Sequence, residues 1–304
     1  MRAEILQCLR RPALAAVLVG LLSGSFGLGV AHASPLAVLD DSGRLVRLAH
    51  AAKRLVTLAP HAAELVFEVG AARQLVGVSE FSDFPSEVQN LPKVGNARGL
   101  DLERILALKP DLVIAWSSGN NTGEIEALER AGLIVYRSDP QSLEQIASSL
   151  ERLGILTGHA SEGAAKAAEF RKKVTQMQAL YSQKRSVRVF YQVWNNPLMT
   201  IGGSHLISSV IRLCGGKNIF AALDSPTPIV SKEAVIAADP EVIVVASDVG
   251  RGAEELSMWN DWPRITAVRR HRLVVLDPAT ITRATSRILI GAQKLCEALE
   301  STRS

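Results

Sequence analysis

Asp101-Leu102-Glu103-Arg104-Ile105-Leu106-Ala107-Leu108-Lys109-Pro110-Asp111-Leu112-Val113-Ile114 decides the fold, because a degenerate copy of it returns as Ser231-Lys232-Glu233-Ala234-Val235-Ile236-Ala237-Ala238-Asp239-Pro240-Glu241-Val242-Ile243-Val244. In each copy a polar residue suited to capping a helix stands two places before a glutamate. A short apolar stretch follows, then a proline seven places beyond the glutamate, an acidic residue and a β-branched run. That order reads as cap, helix, proline stop and buried strand. Glu103 and Glu233 both fall in a first helical turn, where the aligned peptide dipoles favour negative charge. Two such units, 130 residues apart in a chain of 304, predict two similar lobes.

Upstream of the first copy, Arg54–Ala59 and Leu75–Ser79 read as strands and His61–Val69 as a helix, with Ser34–Ala52 a leader of weak pattern. Downstream, Leu112–Trp116 and Leu133–Tyr136 read as strands, Ile125–Ala131 and Leu143–Leu153 as helices. Strands alternating with helices imply a parallel sheet covered on both faces. His159–Lys184 breaks this rhythm: it predicts one helix of about 25 residues, longer than an ordinary crossover helix and suited to joining two lobes. The second lobe repeats the pattern. Strands are expected at Val187–Trp194, Val242–Ala246 and Leu273–Leu276, helices at His205–Cys214, Trp259–Val268 and Ile288–Leu299, and a loop at Ala279–Arg283. The expected fold class is therefore α/β: two Rossmann-like lobes with mainly parallel sheets, joined by a single long α-helix. The boundaries are an N-terminal lobe at 34–157, a linking helix at 158–185 and a C-terminal lobe at 186–304.

The first 33 residues are set apart. Arg2, Arg10 and Arg11 precede an apolar run from Ala13 to Val30 that ends in Ala31-His32-Ala33. A basic head, an apolar middle and small residues before a cut site describe a secretory signal peptide, 1–33. An uncleaved anchor is the alternative, but Gly20, Gly24, Gly27 and Gly29 dilute the run. Export places the mature chain in the periplasm. The formal charge of +4 includes those arginines, and no Lys/Arg block interleaved with aromatics exists, so nucleic acid is not an expected partner. Beyond the signal two cysteines remain, Cys214 and Cys296. In an oxidising compartment an even pair reads as one disulfide, with two buried free thiols as the alternative.

In open α/β sheets, ligands bind outside the carboxyl ends of the strands. The residues expected there are Pro60 and His61, Phe81, Trp116, Trp194 and Asn195, and Ala279, Thr280, Ile281, Thr282 and Arg283. Aromatics make up only 5% of the chain, so their recurrence at strand ends favours a cleft gripping a large, flat, partly apolar ligand over loop packing. His61 reads mainly as a capping or packing residue and secondarily as an axial ligand to a metal carried by the ligand. Arg283 reads either as a contact to an amide, phosphate or carboxylate, or as one arm of a salt bridge. No resident metal is expected. Enzymatic signatures are poor. The six histidines show no H-x-x-x-H spacing, Gly202-Gly203-Ser204-His205 only grazes the nucleophile-elbow pattern, and no phosphate-binding loop occurs.

At Gly77-Val78-Ser79 with Ser82-Asp83, at Leu102–Arg104 through Leu108–Trp116, and at Cys214-Gly215-Gly216-Lys217-Asn218-Ile219-Phe220, the sequence resembles the periplasmic substrate-binding proteins of the helical-backbone class. These serve ABC importers of vitamin B12, haem and iron–siderophores. The resemblance covers Lys53–Leu299 and is nearest to the cobalamin-binding members. It implies a non-enzymatic, monomeric receptor of limited hinge motion that takes no cofactor, holds a corrinoid between its lobes and delivers it to the permease dimer in the inner membrane. It implies that Glu103 and Glu233 dock to permease arginines, where the residues alone suggest surface charges complementing a helix dipole, and that Cys214 pairs with Cys296. Trp116 matches a tryptophan and Arg283 an arginine of the cobalamin-binding members, and Phe81 stands for a tyrosine. Ala97 and Thr227 stand where those members have tryptophans, and Ala279 where they have an aspartate; Trp194 is placed to fill the space. These departures bear on corrin specificity, not on the transport role. The competing expectations are a haem or ferric-siderophore receptor of the same class, a periplasmic enzyme on a similar scaffold, and an envelope interaction protein with a closed cleft.

Overall fold

The computed structural model describes residues 35–248 and 250–303; the expected signal peptide lies outside the described residues. The chain begins with a hairpin, β1 (Leu36–Leu39) and β2 (Leu45–Leu48), in antiparallel register. The weak leader expected at 34–52 is therefore corrected. Its turn is built by Asp40, whose Oδ1 accepts from the Ser42 and Arg44 amides at 2.9 Å each, with Gly43 at a left-handed φ of 80°. Val38, Val46 and Leu48 supply the buried face. The N-terminal lobe continues with β3 (Leu55–Thr57), α1 (Pro60–Glu68), β4 (Leu75–Val78), the short pair β5 (Gly95–Asn96) and β6 (Gly99–Leu100), α2 (Leu102–Ala107), β7 (Leu112–Trp116), α3 (Thr122–Arg130), β8 (Val135–Ser138) and α4 (Leu143–Thr157). Pro60, which closes the strand, is also the first residue of α1, where its missing N–H costs nothing.

The link is α5 (Ala160–Tyr181), of 22 residues. Its buried residues Gly163, Ala167, Phe170, Met177 and Tyr181 recur at helical spacing, leaving Lys166, Glu169 and Lys173 outward. It packs on α4 of the first lobe and on α6 and α11 of the second.

The C-terminal lobe comprises β9 (Val187–Gln192), the hairpin β10 (Trp194–Asn195) and β11 (Leu198–Met199), α6 (Leu206–Leu213), β12 (Gly216–Asn218), α7 (Lys232–Ala238), β13 (Val242–Ala246), α8 (Gly252–Ser257), α9 (Thr266–Arg269), β14 (Leu273–Leu276), α10 (Pro278–Ile281) and α11 (Ile288–Arg303). The helix expected across Trp259–Val268 is corrected to two short ones on either side of a fully buried Trp259, whose Nε1 donates to Gln192 Oε1 at 2.7 Å. The loop expected at Ala279–Arg283 is corrected to a single helical turn, α10, capped by Asp277.

Both main sheets are four-stranded and parallel, with orders β4-β3-β7-β8 and β12-β9-β13-β14. In each lobe the second strand flanks the first on one side and the third and fourth follow on the other. The repeated sequence units occupy the same place in each order: α2 feeds β7, and α7 feeds β13. Asp101 caps α2 by accepting from the Arg104 amide at 2.9 Å, and Ser231 caps α7 by accepting from the Ala234 amide at 3.2 Å. Lys109 and Asp239, each just before the stopping proline, take left-handed φ values of 47° and 42°. The proline ring disfavours the right-handed region at that position, so each helix turns sharply into its strand. Leu112–Ala115 and Val242–Val245 are buried throughout, as central strands covered on both faces require.

One hydrophobic core includes Val66 and Leu150 of the first lobe, Phe170 of α5, and Val189, Ile211 and Leu295 of the second. Ser34–Ser304 accordingly holds together as one unit, so the lobes are halves of one body. Cys214 at the end of α6 and Cys296 in α11 form a disulfide between two fully buried positions 82 residues apart. Replacing both by alanine is expected to cost about 2–4 kcal/mol, because the bond closes a long loop in the unfolded chain. Urea unfolding measures this; a loss below about 0.5 kcal/mol would mean the shared core alone retains α11. No helix among the described residues is long and apolar enough to cross a membrane.

Candidate functional site

A cavity of about 630 Å³ opens where the carboxyl ends of first-lobe strands meet the second lobe. That volume is within the range of small-molecule sites. From the first lobe it is lined by His61, Trp116, Ser118, Asp139 and Gln141, and from the second by Ser204, His205, Pro226, Thr227 and Thr282. A cavity of about 720 Å³ also exists, but it lies among charged residues of α1, α5 and α11 such as Lys166, Glu169 and Lys294, away from every strand end. The strand-end rule therefore selects the former.

Trp116, the last residue of β7, is locked from several directions. Its backbone N–H donates to Asn120 Oδ1 at 2.7 Å, and its indole Nε1–H donates to Asp139 Oδ1 at 3.1 Å. Gly119 folds over the indole so closely that a Cβ there would sit 2.0 Å from Cε3, which only glycine permits. His61, in the first turn of α1, meets the indole edge-on with ring centres 5.9 Å apart. Asp139 follows β8. It accepts a second bond from Ser118 Oγ at 2.9 Å, and its amide donates to Asp41 Oδ2 at 2.6 Å. Two strand ends and the initial hairpin thus fix one aromatic platform before any ligand arrives.

His61 is only 7% exposed, and its Nε2 lies 3.2 Å from Ser138 Oγ. Burial, and then the nearby charge of Arg283, pushes its pKa down to about 4, so the ring is neutral at ordinary pH. Among the described residues no group of three or more His, Cys, Asp or Glu is placed to hold a metal ion.

The other expected residues are distributed differently from one continuous crevice. Trp194 and Asn195 line a separate cavity of about 290 Å³ with Arg251 and Glu254, at the ends of β9 and β13. Trp194 is 58% exposed and pinned through Nε1 to the Asn196 carbonyl at 2.9 Å. Trp116 and Trp194 thus line different cavities. Phe81 is 75% exposed, holds a left-handed φ of 62°, and lines neither cavity. Pro60 is half-buried at the start of α1, and Ala279 is half-buried in α10. Thr280 and Ile281 are buried in α10, with Ile281 part of the shared core, so neither reaches the cavity. Thr282, one residue on, does.

Arg283 is not a free arm. Its Nη1 donates to Glu64 Oε1 at 2.8 Å and also to Asp83 Oδ1. Glu64 accepts further bonds from Arg287 Nη1 at 3.2 Å and Thr285 Oγ1 at 3.0 Å. A buried carboxylate of the first lobe is thereby gripped by three residues of the second. Arg287 also lies over the Phe84 ring, 3.8 Å from its centre. Bonding to Arg283 holds the Asp83 carboxyl below its ordinary range. The salt bridge, one of the two readings of Arg283, is present in the structure.

Sequence reasoning missed Glu64, Asp139, Gln141 and His205. Three of the four carried a signal. Glu64 interrupts the apolar run Ala62–Val66, Asp139-Pro140 follows a predicted strand, and His205 precedes an apolar helix in a capping position.

Two parallel-sheet lobes bridged by α5, with a cleft between them at strand ends, are the setting of this site, and the chain belongs to the periplasmic binding protein family, which it matches over residues 55–280. A vitamin B12-binding protein of Vibrio parahaemolyticus serotype O3:K6 (strain RIMD 2210633) is 38% identical over 252 residues, covering 83% of this chain and 90% of that protein. The crystal structure of the periplasmic vitamin B12 binding protein BtuF of Vibrio cholerae superposes with a TM-score of 0.77 at 34% identity, over 83% of this chain and 98% of that one. A periplasmic heme binding protein from Pseudomonas aeruginosa superposes with a TM-score of 0.72 at 26% identity, over 83% and 94%. The expected fold class and the substrate-binding role hold. The family and these relatives are binding proteins, not enzymes.

Proposed function

We propose that this chain is a periplasmic receptor, exported by a signal peptide cleaved after Ala33, that captures a cobalamin or related corrinoid and hands it to the permease of an ABC importer. It acts as a monomer and performs no reaction. The observation that carries the ligand class is the chemistry of the roughly 630 Å³ cavity. An immobilised indole supplies stacking area beside Ser118, Gln141, Ser204 and Thr227, groups that hydrogen-bond to carboxamides. Haem iron needs an axial ligand from the protein, commonly histidine or tyrosine. The lining holds no tyrosine, and of its two histidines His61 Nε2 is already engaged by Ser138 while His205 Nδ1 accepts the Ile207 amide. Cobalamin carries its own axial ligands and makes no such demand. The vitamin B12-binding relatives support the same reading.

Lobe boundaries at 34–157 and 186–304 follow the repeated sheet order, and the linking helix at 158–185 encloses α5. Delivery is assigned to Glu103 and Glu233. Both are exposed, and each is the second residue of its helix at the matching place in its lobe. A pseudo-twofold pair of charges suits a twofold permease dimer.

Calorimetry of the purified mature protein against cyanocobalamin, haemin and a ferric siderophore tests the ligand. Saturable heat with cyanocobalamin and none with haemin is the expected result. Haemin or siderophore heat without cyanocobalamin heat would overturn it.

A further inference from the structure

His205 stands at the start of α6 and does two things with its two ring nitrogens. Its Nδ1 accepts the backbone N–H of Ile207 at 3.1 Å, so the imidazole caps the helix. A neutral imidazole carries a single proton, and a nitrogen that accepts an N–H cannot hold it. The cap therefore forces the proton onto Nε2. Among the described residues no acceptor engages Nε2, and His205 forms part of the cavity wall facing Trp116 and Asp139.

The turn that leads into His205 is constrained as well. A Cβ on Gly202 would lie 2.1 Å from the Ser225 carbonyl oxygen, and one on Gly203 2.2 Å from that of Ala221, so the turn into His205 is pressed against neighbouring backbone. The Gly202 carbonyl also accepts from Ser208 Oγ at 2.7 Å, tying the turn to the helix it precedes. A donor fixed in this way loses little freedom when a ligand arrives. Burial pushes the His205 pKa below the ordinary histidine range, which keeps the ring neutral.

We propose that His205 is the second lobe's hydrogen-bond donor to the bound ligand, presenting Nε2–H to a carbonyl or carboxamide oxygen and offering no lone pair to a metal. The choice of a carboxamide-bearing corrinoid as target rests on the function proposed above; the donor geometry does not. With His61 Nε2 tied to Ser138, both cavity histidines are then occupied by the protein in ways that oppose axial ligation of iron. The cavity would select by hydrogen-bond acceptors on the rim of a flat ligand rather than by its metal.

The test has two arms. In the ligand-free protein labelled with 15N-histidine, long-range proton–nitrogen correlation should show His205 protonated at Nε2 only, with the resonance identified by its loss in His205→Ser. A proton on Nδ1 near neutral pH would overturn the proposal whatever the ligand. His205→Ser keeps a capping oxygen but removes the reach into the cavity, so the variant should unfold at nearly the wild-type temperature. Cyanocobalamin should bind it about threefold to tenfold more weakly, the range of one neutral hydrogen bond. Wild-type binding of cyanocobalamin with unchanged affinity in His205→Ser would overturn the donor alone. Failure of the wild type to bind cyanocobalamin would overturn the corrinoid reading and remove the donor's target. Iron–imidazole ligation of haemin that disappears in His205→Ser would overturn the claim that no lone pair is available.

Discussion

Glu64→Ala is expected to lower the free energy of unfolding by about 3 kcal/mol and to weaken ligand binding with it. The Glu64 side chain is 3% exposed and receives Arg283, Arg287 and Thr285. Truncating one partner of a buried ion pair typically costs about 3–5 kcal/mol, because the remaining charge stays desolvated and unpaired. Two guanidinium groups would be stranded here. They are 17% and 22% exposed, so water screens part of the penalty, and the lower end of that range applies. Urea unfolding of Glu64→Ala beside Asp83→Ala provides the comparison. Asp83 binds the same Arg283, but its side chain is 55% exposed, so its loss should cost under about 1 kcal/mol. Equal losses in the two variants would show that burial does not govern this cluster.

The consequence for binding follows from position. Residues 283–287 run from α10 to α11, and Thr282 and Ala284, on either side of Arg283, line the main cavity. Glu64 lies three residues beyond His61 on α1, which lines the other wall. The carboxylate therefore ties the two walls of the cleft together across 219 residues of sequence. With shared packing through α4, α5, α6 and α11, this pairing makes the lobes one stiff body whose cleft is preorganised.

That distance in sequence also explains what could be read without a structure. The two repeat units were legible because cap, helix, proline and strand are local features, and Leu112–Trp116 and Val242–Ala246 emerged with the expected bounds. The matching strand orders follow from the same repetition. Arg283 was ambiguous because its partner is encoded nowhere near it. Trp116 and Trp194 look equivalent in sequence, yet Trp116 is held beneath Gly119 while Trp194 stands on its own hairpin beside Arg251. The opening hairpin was missed although Asp40-Asp41-Ser42-Gly43 is a strong turn signal, because each strand is only four residues long. Its value lies in tertiary contacts: Arg152 reaches Asp41 at 2.6 Å, and Asp41 in turn receives the amide of Asp139 in the site.

The Glu103→Ala/Glu233→Ala double variant should bind cyanocobalamin as the wild type does and yet fail in uptake. Both carboxylates are exposed at the second position of a short helix and line neither cavity, so neither ligand affinity nor the unfolding midpoint should move. At the Glu233 carboxyl, hydrogen bonds from its own backbone and from Ser231 lower the pKa below its ordinary value, so the charged form is favoured. Charges at a docking surface steer encounter and fix register, so losing one should weaken association with the permease by about tenfold. Because the two sites sit on different lobes and share no partner, their losses should add in free energy, giving about a hundredfold for the double variant. Transport by the reconstituted permease, measured against receptor concentration, separates the outcomes. Glu126→Ala removes an exposed acid of the first lobe, whose ion pair among the described residues is with Arg130 at 3.6 Å, and serves as the charge-matched control. If that control reduces transport as much as Glu103→Ala, the permease responds to net charge and the paired glutamates are not its contacts. If each single variant already abolishes transport while docking persists, the glutamates act after docking, on the release of ligand.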